Sequence, residues 1–386
     1  MTTKLEQPIY LDYQASTPID PRVLEAMLPF MKDKFGNPHS SEHFFGWQSN
    51  EALELALNQI ADYLDVLSDE IILTSGATES NNLAIIGLGY AALQKSKKRT
   101  ILISSIEHKC VLGSSRFLQN FGFNVQKIPV DDTGIINLNK LKEMMNDDVL
   151  LVSTMAVNNE IGTVEPLEEI SKIVKQYDAI FHVDAAQAGY LDIDINKSQI
   201  DLLSISSHKI YGPKGIGALY INSNSLLKPS PIIYGGGQQN GYRSGTIPTF
   251  LAIGFGKACE IMKQVRNEEK QQIQALRNEL KNGLEQIIPG IKFNGTFENR
   301  HPGNLNCTLP NENAKSFIYK FQPNLAFSTG SACSSGEIEP SHVLKAIGLS
   351  TEEAENSFRI SIGRYTKIEE IHLTLQLLTH LKENGN

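Results

Sequence analysis

The chain has 386 residues, 41% of them hydrophobic and 20% charged, with 29 Gly and 16 Pro. This near-average usage excludes long disorder, a fibrous repeat and a disulfide-stapled miniprotein, and the length accommodates two or three domains. The formal charge of −8, from 35 Lys and Arg against 43 Asp and Glu, excludes a general attraction to nucleic acid or an anionic membrane.

In chain order, short apolar runs at 70–73, 100–106, 149–157, 179–184 and 202–206 read as strands. Between them, 81–94, 109–121, 137–146 and 166–177 carry apolar residues at helical spacing. Strand and helix alternate, so a mostly parallel α/β sheet with helices on both faces is expected. A long, charge-laced helix over 249–288 then links to a smaller α+β domain. That domain has strands at 292–295, 304–309 and 325–328 and helices near 314–321, 341–347 and 367–383. No apolar run reaches the roughly 18 residues of a membrane span, and the N-terminus lacks an apolar signal core, so no membrane partner and a cytoplasmic location are expected.

Cys110, Cys259, Cys307 and Cys333 are far apart with no C-x-x-C pair, so neither a zinc site nor a redox dithiol is expected. Cys259 and Cys307 fall in apolar patterns and read as small buried hydrophobes. Cys110 lies at a helix start and stays ambiguous. Cys333, in Gly330-Ser-Ala-Cys-Ser-Ser-Gly, is set among small polar residues and reads as exposed on a mobile loop.

Three further segments carry candidate chemistry. Leu73-Thr-Ser-Gly-Ala-Thr-Glu-Ser is a strand-to-helix junction able to aim backbone N–H groups at a phosphate; alone, it is more simply a helix cap from Ser75 or Thr78. Phe181-His-Val-Asp-Ala-Ala-Gln puts Asp184 at the carboxyl end of a strand, where open α/β sheets bind ligands. There it could pair with a pyridinium nitrogen, or simply cap the next turn. Ser204-Ile-Ser-Ser-His-Lys delivers Lys209 beside hydroxyls and a histidine, a setting for a Schiff-base lysine. Gly212, Gly215 and Gly217 do not form a Walker loop, which disfavours nucleotide binding.

Together the segments resemble a cysteine desulfurase of the NifS/IscS type, a class-V aminotransferase-like, pyridoxal phosphate-dependent enzyme of fold type I. The resemblance runs in order through Tyr10-Leu-Asp-Tyr-Gln-Ala-Ser-Thr-Pro, Gly36-Asn-Pro-His-Ser-Ser, Thr74-Ser-Gly-Ala-Thr-Glu-Ser, Glu107-His-Lys and Val157-Asn-Asn-Glu-Ile-Gly. It continues through Val183-Asp-Ala-Ala-Gln, Ser207-His-Lys-Ile-Tyr-Gly-Pro-Lys-Gly, Arg243-Ser-Gly-Thr, Gly330-Ser-Ala-Cys and Arg359-Ile-Ser-Ile-Gly-Arg.

The resemblance implies a large cofactor-binding domain over 21–255 with a mostly parallel seven-stranded sheet sandwiched by helices. It also implies a small α+β domain over 256–386, carrying the cysteine loop at about 325–340, and an N-terminal segment, 1–20, that joins the small domain. Lys209 is expected to hold the cofactor as a Schiff base, and Asp184 to pair with its ring nitrogen. His108 is expected to stack on the ring, with Gln187 and Asn159 on the phenolic side. Ala77, Thr78, Ser206 and His208 are the expected phosphate contacts, with Thr246 reaching in from the second subunit of a homodimer. Arg359, helped by Asn37, is expected to clamp the substrate carboxylate.

The implied reaction turns L-cysteine into L-alanine. Lys209 removes the α-proton, His108 shuttles it, and Cys333 takes the sulfur as a persulfide for an acceptor such as an iron–sulfur scaffold. There Cys333 is also expected as a transient cluster ligand. Selenocysteine lyase or another class-V activity uses the same constellation, and a non-enzymatic sulfur-trafficking scaffold is the alternative from another class. Gln239, Asn240 and Tyr242 stand where relatives commonly carry charged residues. The chain ends at Asn386 without the longer tail some members use to bind a scaffold, which leaves the acceptor open.

Overall fold

A computed structural model describes residues 7–330 and 340–384. In chain order, β1 is Ile9–Tyr10, α1 Pro21–Lys32, α2 Phe44–Leu64, β2 Ile71–Thr74, α3 Ala77–Lys95, β3 Thr100–Ser104, α4 Lys109–Gln119 and β4 Asn124–Ile128. Next come α5 Leu138–Met144, β5 Val149–Met155, α6 Leu167–Val174, β6 Ile180–Asp184, β7 Leu202–Ser206, β8 Gly217–Ile221 and α7 Thr249–Ile287. The chain then forms β9 Lys292–Phe293, β10 Asn304–Thr308, α8 Ala314–Lys320, β11 Leu325–Ala326, α9 His342–Ala346, α10 Thr351–Glu355, β12 Ser357–Ser361 and α11 Ile368–Asn384.

Seven strands form the central sheet in the order β2-β8-β7-β6-β5-β3-β4. Pairing is parallel from β7 across to β4, and β8 runs antiparallel to both of its neighbours. Every residue of β5, β6 and β7 is buried, which explains their near-continuous apolar sequences: a parallel sheet covered by helices has no wet face. Phe181, Val183 and Leu203 are fully buried, and each such side chain contributes about 1.5–3 kcal/mol of hydrophobic stabilisation.

One polar ladder crosses this apolar layer. His182 Nδ1 is 2.8 Å from Ser153 Oγ on β5, and its Nε2 is 3.2 Å from Ser204 Oγ on β7. Burial lowers the His182 pKa to about 3, so the ring is neutral and bridges the two hydroxyls. The ladder pins three strands in a register that sets Asp184 level with Met155 and Ser204.

The long helix read from the sequence is α7, which spans roughly 60 Å at 1.5 Å per residue. Its first part packs on α1 and α2, with Gly254 against Met27 and Gly256 against Ala56, and its far end packs on α11, with Gly283 against Leu375. The expected division between 255 and 256 therefore falls inside one continuous helix. Beyond it, β9, β10 and β12 form an antiparallel sheet, and β1 pairs in parallel with β11, which sets Ile9 beside Leu325. Among the described residues, no helix is long and apolar enough to cross a membrane.

Candidate active site

The phosphate-type junction is built from two glycines and a helix end. Gly76 is the N-cap of α3 at φ 147°, a conformation that favours glycine, and it offers no side-chain cap. A Cβ on Gly217 of β8 would lie 2.7 Å from Gly76 Cα, so β8 must have glycine there for the turn to approach it. Neither Ser75 nor Thr78 caps the helix, which overturns the simpler capping reading. Instead Ser75 donates its N–H to Glu79 Oε2 at 2.8 Å. Ala77 and Thr78, at the positive end of α3, line a cavity of about 520 Å³. Ser206 Oγ and His208 Nδ1, 3.0 Å apart, lie on its wall. Burial, and then the nearby Lys209 and Lys214, lower the His208 pKa to about 4 and keep the ring neutral.

Lys209 follows β7 in a turn braced on several sides. Tyr211, two residues on, holds φ 66°, a left-handed conformation unusual for an aromatic residue. Its N–H donates to Thr17 Oγ1 at 2.9 Å, its hydroxyl accepts from Arg364 N at 2.7 Å, and the Arg364 guanidinium lies 4.0 Å over its ring. Arg364 is itself fixed by Glu269 at 2.6 Å and Asp20 at 2.7 Å. Lys209 Nζ donates to the carbonyls of Gln14 at 2.5 Å and Ala15 at 2.9 Å, so the N-terminal segment closes over it. Gln187 Nε2 reaches the same Gln14 carbonyl at 2.9 Å.

Asp184 is almost fully buried. Its Oδ1 accepts from Ala186 N at 3.0 Å, the turn-capping bond, and its Oδ2 accepts from Asn81 Nδ2 at 2.6 Å. His108 is the N-cap of α4, its Nδ1 accepting from Cys110 N at 3.2 Å. Burial lowers the His108 pKa, Asp184 opposes that and Lys209 adds to it, so the ring stands as a neutral proton acceptor.

Arg359, on β12, donates through Nη1 to Asn159 O at 2.5 Å and through Nη2 to Asp12 Oδ1 at 2.6 Å. Its Nε is buried without a protein partner. The guanidinium thus enters the cavity already oriented and with donor capacity in reserve.

All of Ala77, Thr78, His108, Asn159, Asp184, Gln187, Ser206, His208, Lys209 and Arg359 line this cavity. Asn37 and Thr246 do not. They line a second cavity of about 500 Å³ with Phe35, Pro38 and Phe250, and the exposed Phe45 stacks on Phe35. Asn37 is thus set apart from Arg359, on the loop between α1 and α2, where its Oδ1 accepts from His39 N at 3.0 Å. Cys333 lies outside the described residues. Gln14, Ala15 and Cys110 also line the first cavity, and the sequence reading gave them no role there. Gln239 turns inward: it accepts from Leu73 N at 2.7 Å and donates to Leu73 O at 2.9 Å, extending the edge strand β2 as a backbone would.

The aminotransferase class-V family model matches residues 9–373. A cysteine desulfurase IscS of Rickettsia typhi is 48% identical over 375 residues, covering 97% of this chain and 91% of that protein. This chain belongs to the class-V aminotransferases, among the cysteine desulfurases. A probable mitochondrial cysteine desulfurase of Dictyostelium discoideum is 46% identical over 97% of this chain and 82% of that protein. Among solved structures, a NifS-like protein aligns with a TM-score of 0.91 at 34% identity, covering 98% of this chain and all of that one. SspA in complex with cysteine aligns at 0.80 and 40% identity, covering 93% and 99%.

A cysteine desulfurase depends on pyridoxal phosphate, and the cavity suits that group. Backbone donors at a helix N-terminus, a buried carboxylate and a lysine amine all line it.

Proposed function

We propose that this cysteine desulfurase converts L-cysteine to L-alanine in the cavity around Lys209 and keeps the sulfur as a persulfide on Cys333. From there it passes to an acceptor thiol, for iron–sulfur cluster assembly or another thiolation. The observation that carries the reading is the convergence of Lys209, Asp184, His108 and Arg359 on one cavity. Lys209 would hold pyridoxal phosphate, and Ala77, Thr78, Ser206 and His208 its phosphate; the group would supply an electron sink.

The chain's own groups do the rest. Arg359 orients the substrate carboxylate with its forked donors. Lys209 Nζ would take the substrate α-proton. The neutral His108 ring, with Nδ1 held by the α4 backbone, moves a proton within the cavity. Cys333 Sγ, as thiolate, bonds to the substrate sulfur while the substrate C–S bond breaks, and a proton delivered to that carbon completes alanine. With dithiothreitol as acceptor, alanine and sulfide should appear in equal amounts from L-cysteine. Sulfide with pyruvate and ammonia in place of alanine would refute this chemistry.

Thr246 and Asn37 are assigned to the cavity of a second copy, in a homodimer. The support is their joint position in the second cavity, whose lining includes the exposed Phe35 with the exposed Phe45 stacked on it. Thr246→Ala should speed cofactor release roughly tenfold or more, the effect of one lost hydrogen bond to a charged group. Co-expression with Lys209→Ala decides how Thr246 acts. A mixed dimer has one site with an intact lysine and an intact Thr246 supplied by the other subunit, and that site should retain cofactor normally. Failure of the mixed dimer to recover would show that Thr246 does not act across subunits.

A further inference from the structure

We propose that Asn81 is a positioning residue that holds the Asp184 carboxylate aimed at the cofactor ring, so that one helix, α3, fixes both ends of the cofactor. The inference rests on the pyridoxal phosphate reading above and deepens it.

Asn81 lies four residues after Ala77, about 6 Å farther along the helix axis. The N-terminus of α3 offers its uncapped end to the phosphate. One turn later the same helix sends Asn81 Nδ2 to Asp184 Oδ2 at 2.6 Å. An ionised carboxylate only accepts, so the atom facing it must be the amide nitrogen. Asp184 Oδ1 is taken by Ala186 N. Each oxygen therefore has a neutral donor that fixes its direction without adding a cation that would compete with a pyridinium.

Two details argue against a purely structural role. Asn81 is wholly buried, and its Oδ1 has no hydrogen-bond partner, so the side chain carries a desolvation cost that an apolar residue of the same shape would avoid. Its Nδ2 also lies 3.2 Å from Cys110 Sγ, which is 3.0 Å from His108 Nδ1. The amide thus belongs to the chain of contacts that joins Asp184 to the ring-facing histidine.

The test uses purified holoenzyme and two variants. Asn81→Leu keeps the shape and removes the donor, while Asn81→Ser is too short to reach Asp184 and guards against a packing failure of the first. Cofactor release into an excess of a trapping apoenzyme, the pH titration of the bound cofactor's visible absorbance and the apoprotein melting temperature are measured together. Release should accelerate roughly tenfold in both variants and the absorbance titration should shift, while the apo Asn81→Leu protein melts no lower than wild type. Wild-type release and an unshifted titration, with or without a changed melting temperature, would overturn the role of Asn81 alone. If the wild-type protein takes up no pyridoxal phosphate, the reading beneath it fails and the inference falls with it.

Discussion

Lys209→Ala should yield a folded protein that forms no lysine-bound cofactor absorbance and releases no alanine from L-cysteine. The expected loss of turnover is on the order of 10⁴-fold or more, because the substitution removes both the covalent anchor and the base that takes the α-proton. Folding should survive. The amine donates to the Gln14 and Ala15 carbonyls, and the turn that carries it is held separately through Tyr211, Thr17 and Arg364. Circular dichroism would confirm the fold, and absorbance spectroscopy with an alanine assay would read the site. A variant that retains turnover would place the base elsewhere.

Cys333→Ser should separate sulfur transfer from the earlier steps. A hydroxyl cannot form the S–S bond, so alanine formation should fall at least about a hundredfold. Substrate should still bind, and its addition should still perturb the cofactor absorbance. None of the three described cysteines is suited to substitute. Cys259 and Cys307 are fully buried, and burial pushes both thiols well above their usual pKa. Cys110 lines the cavity, but burial and the nearby Asp184 push its thiol up to about 12, so it stays protonated and poorly nucleophilic. Persulfide found on Cys110 in the Cys333→Ser variant would contradict this assignment.

The sequence made the parallel core legible because strands buried on both faces are written as apolar runs. The reading of 202–206 coincides with β7, and that of 179–184 with β6 to within one residue. Two strands of the central sheet escaped it. β4 is a partly exposed edge strand, Asn-Val-Gln-Lys-Ile, with no apolar run. β8 begins at the glycine that lets the Gly76 turn approach and merges with a glycine-rich loop, so neither its presence nor its reversed direction stands out. β12 was hidden by Arg359, which sits inside it. At the site, Lys209, Asp184 and His108 were legible because each lies at the end of a strand or the start of a helix. The closure of Gln14 and Ala15 over Lys209 was not, since carbonyls bridging some 190 residues leave no mark in side-chain identity. Asn81 was hidden as one of two adjacent asparagines in a helix, distinguished only by which of them turns inward.

The most direct measurement is intact-protein and peptide mass spectrometry of the cofactor-loaded protein after brief mixing with L-cysteine, with alanine quantified in the same sample. A gain of one sulfur on Cys333, matched by one alanine, is the predicted result. Alanine without sulfur on Cys333, or sulfur confined to another cysteine, would contradict the account.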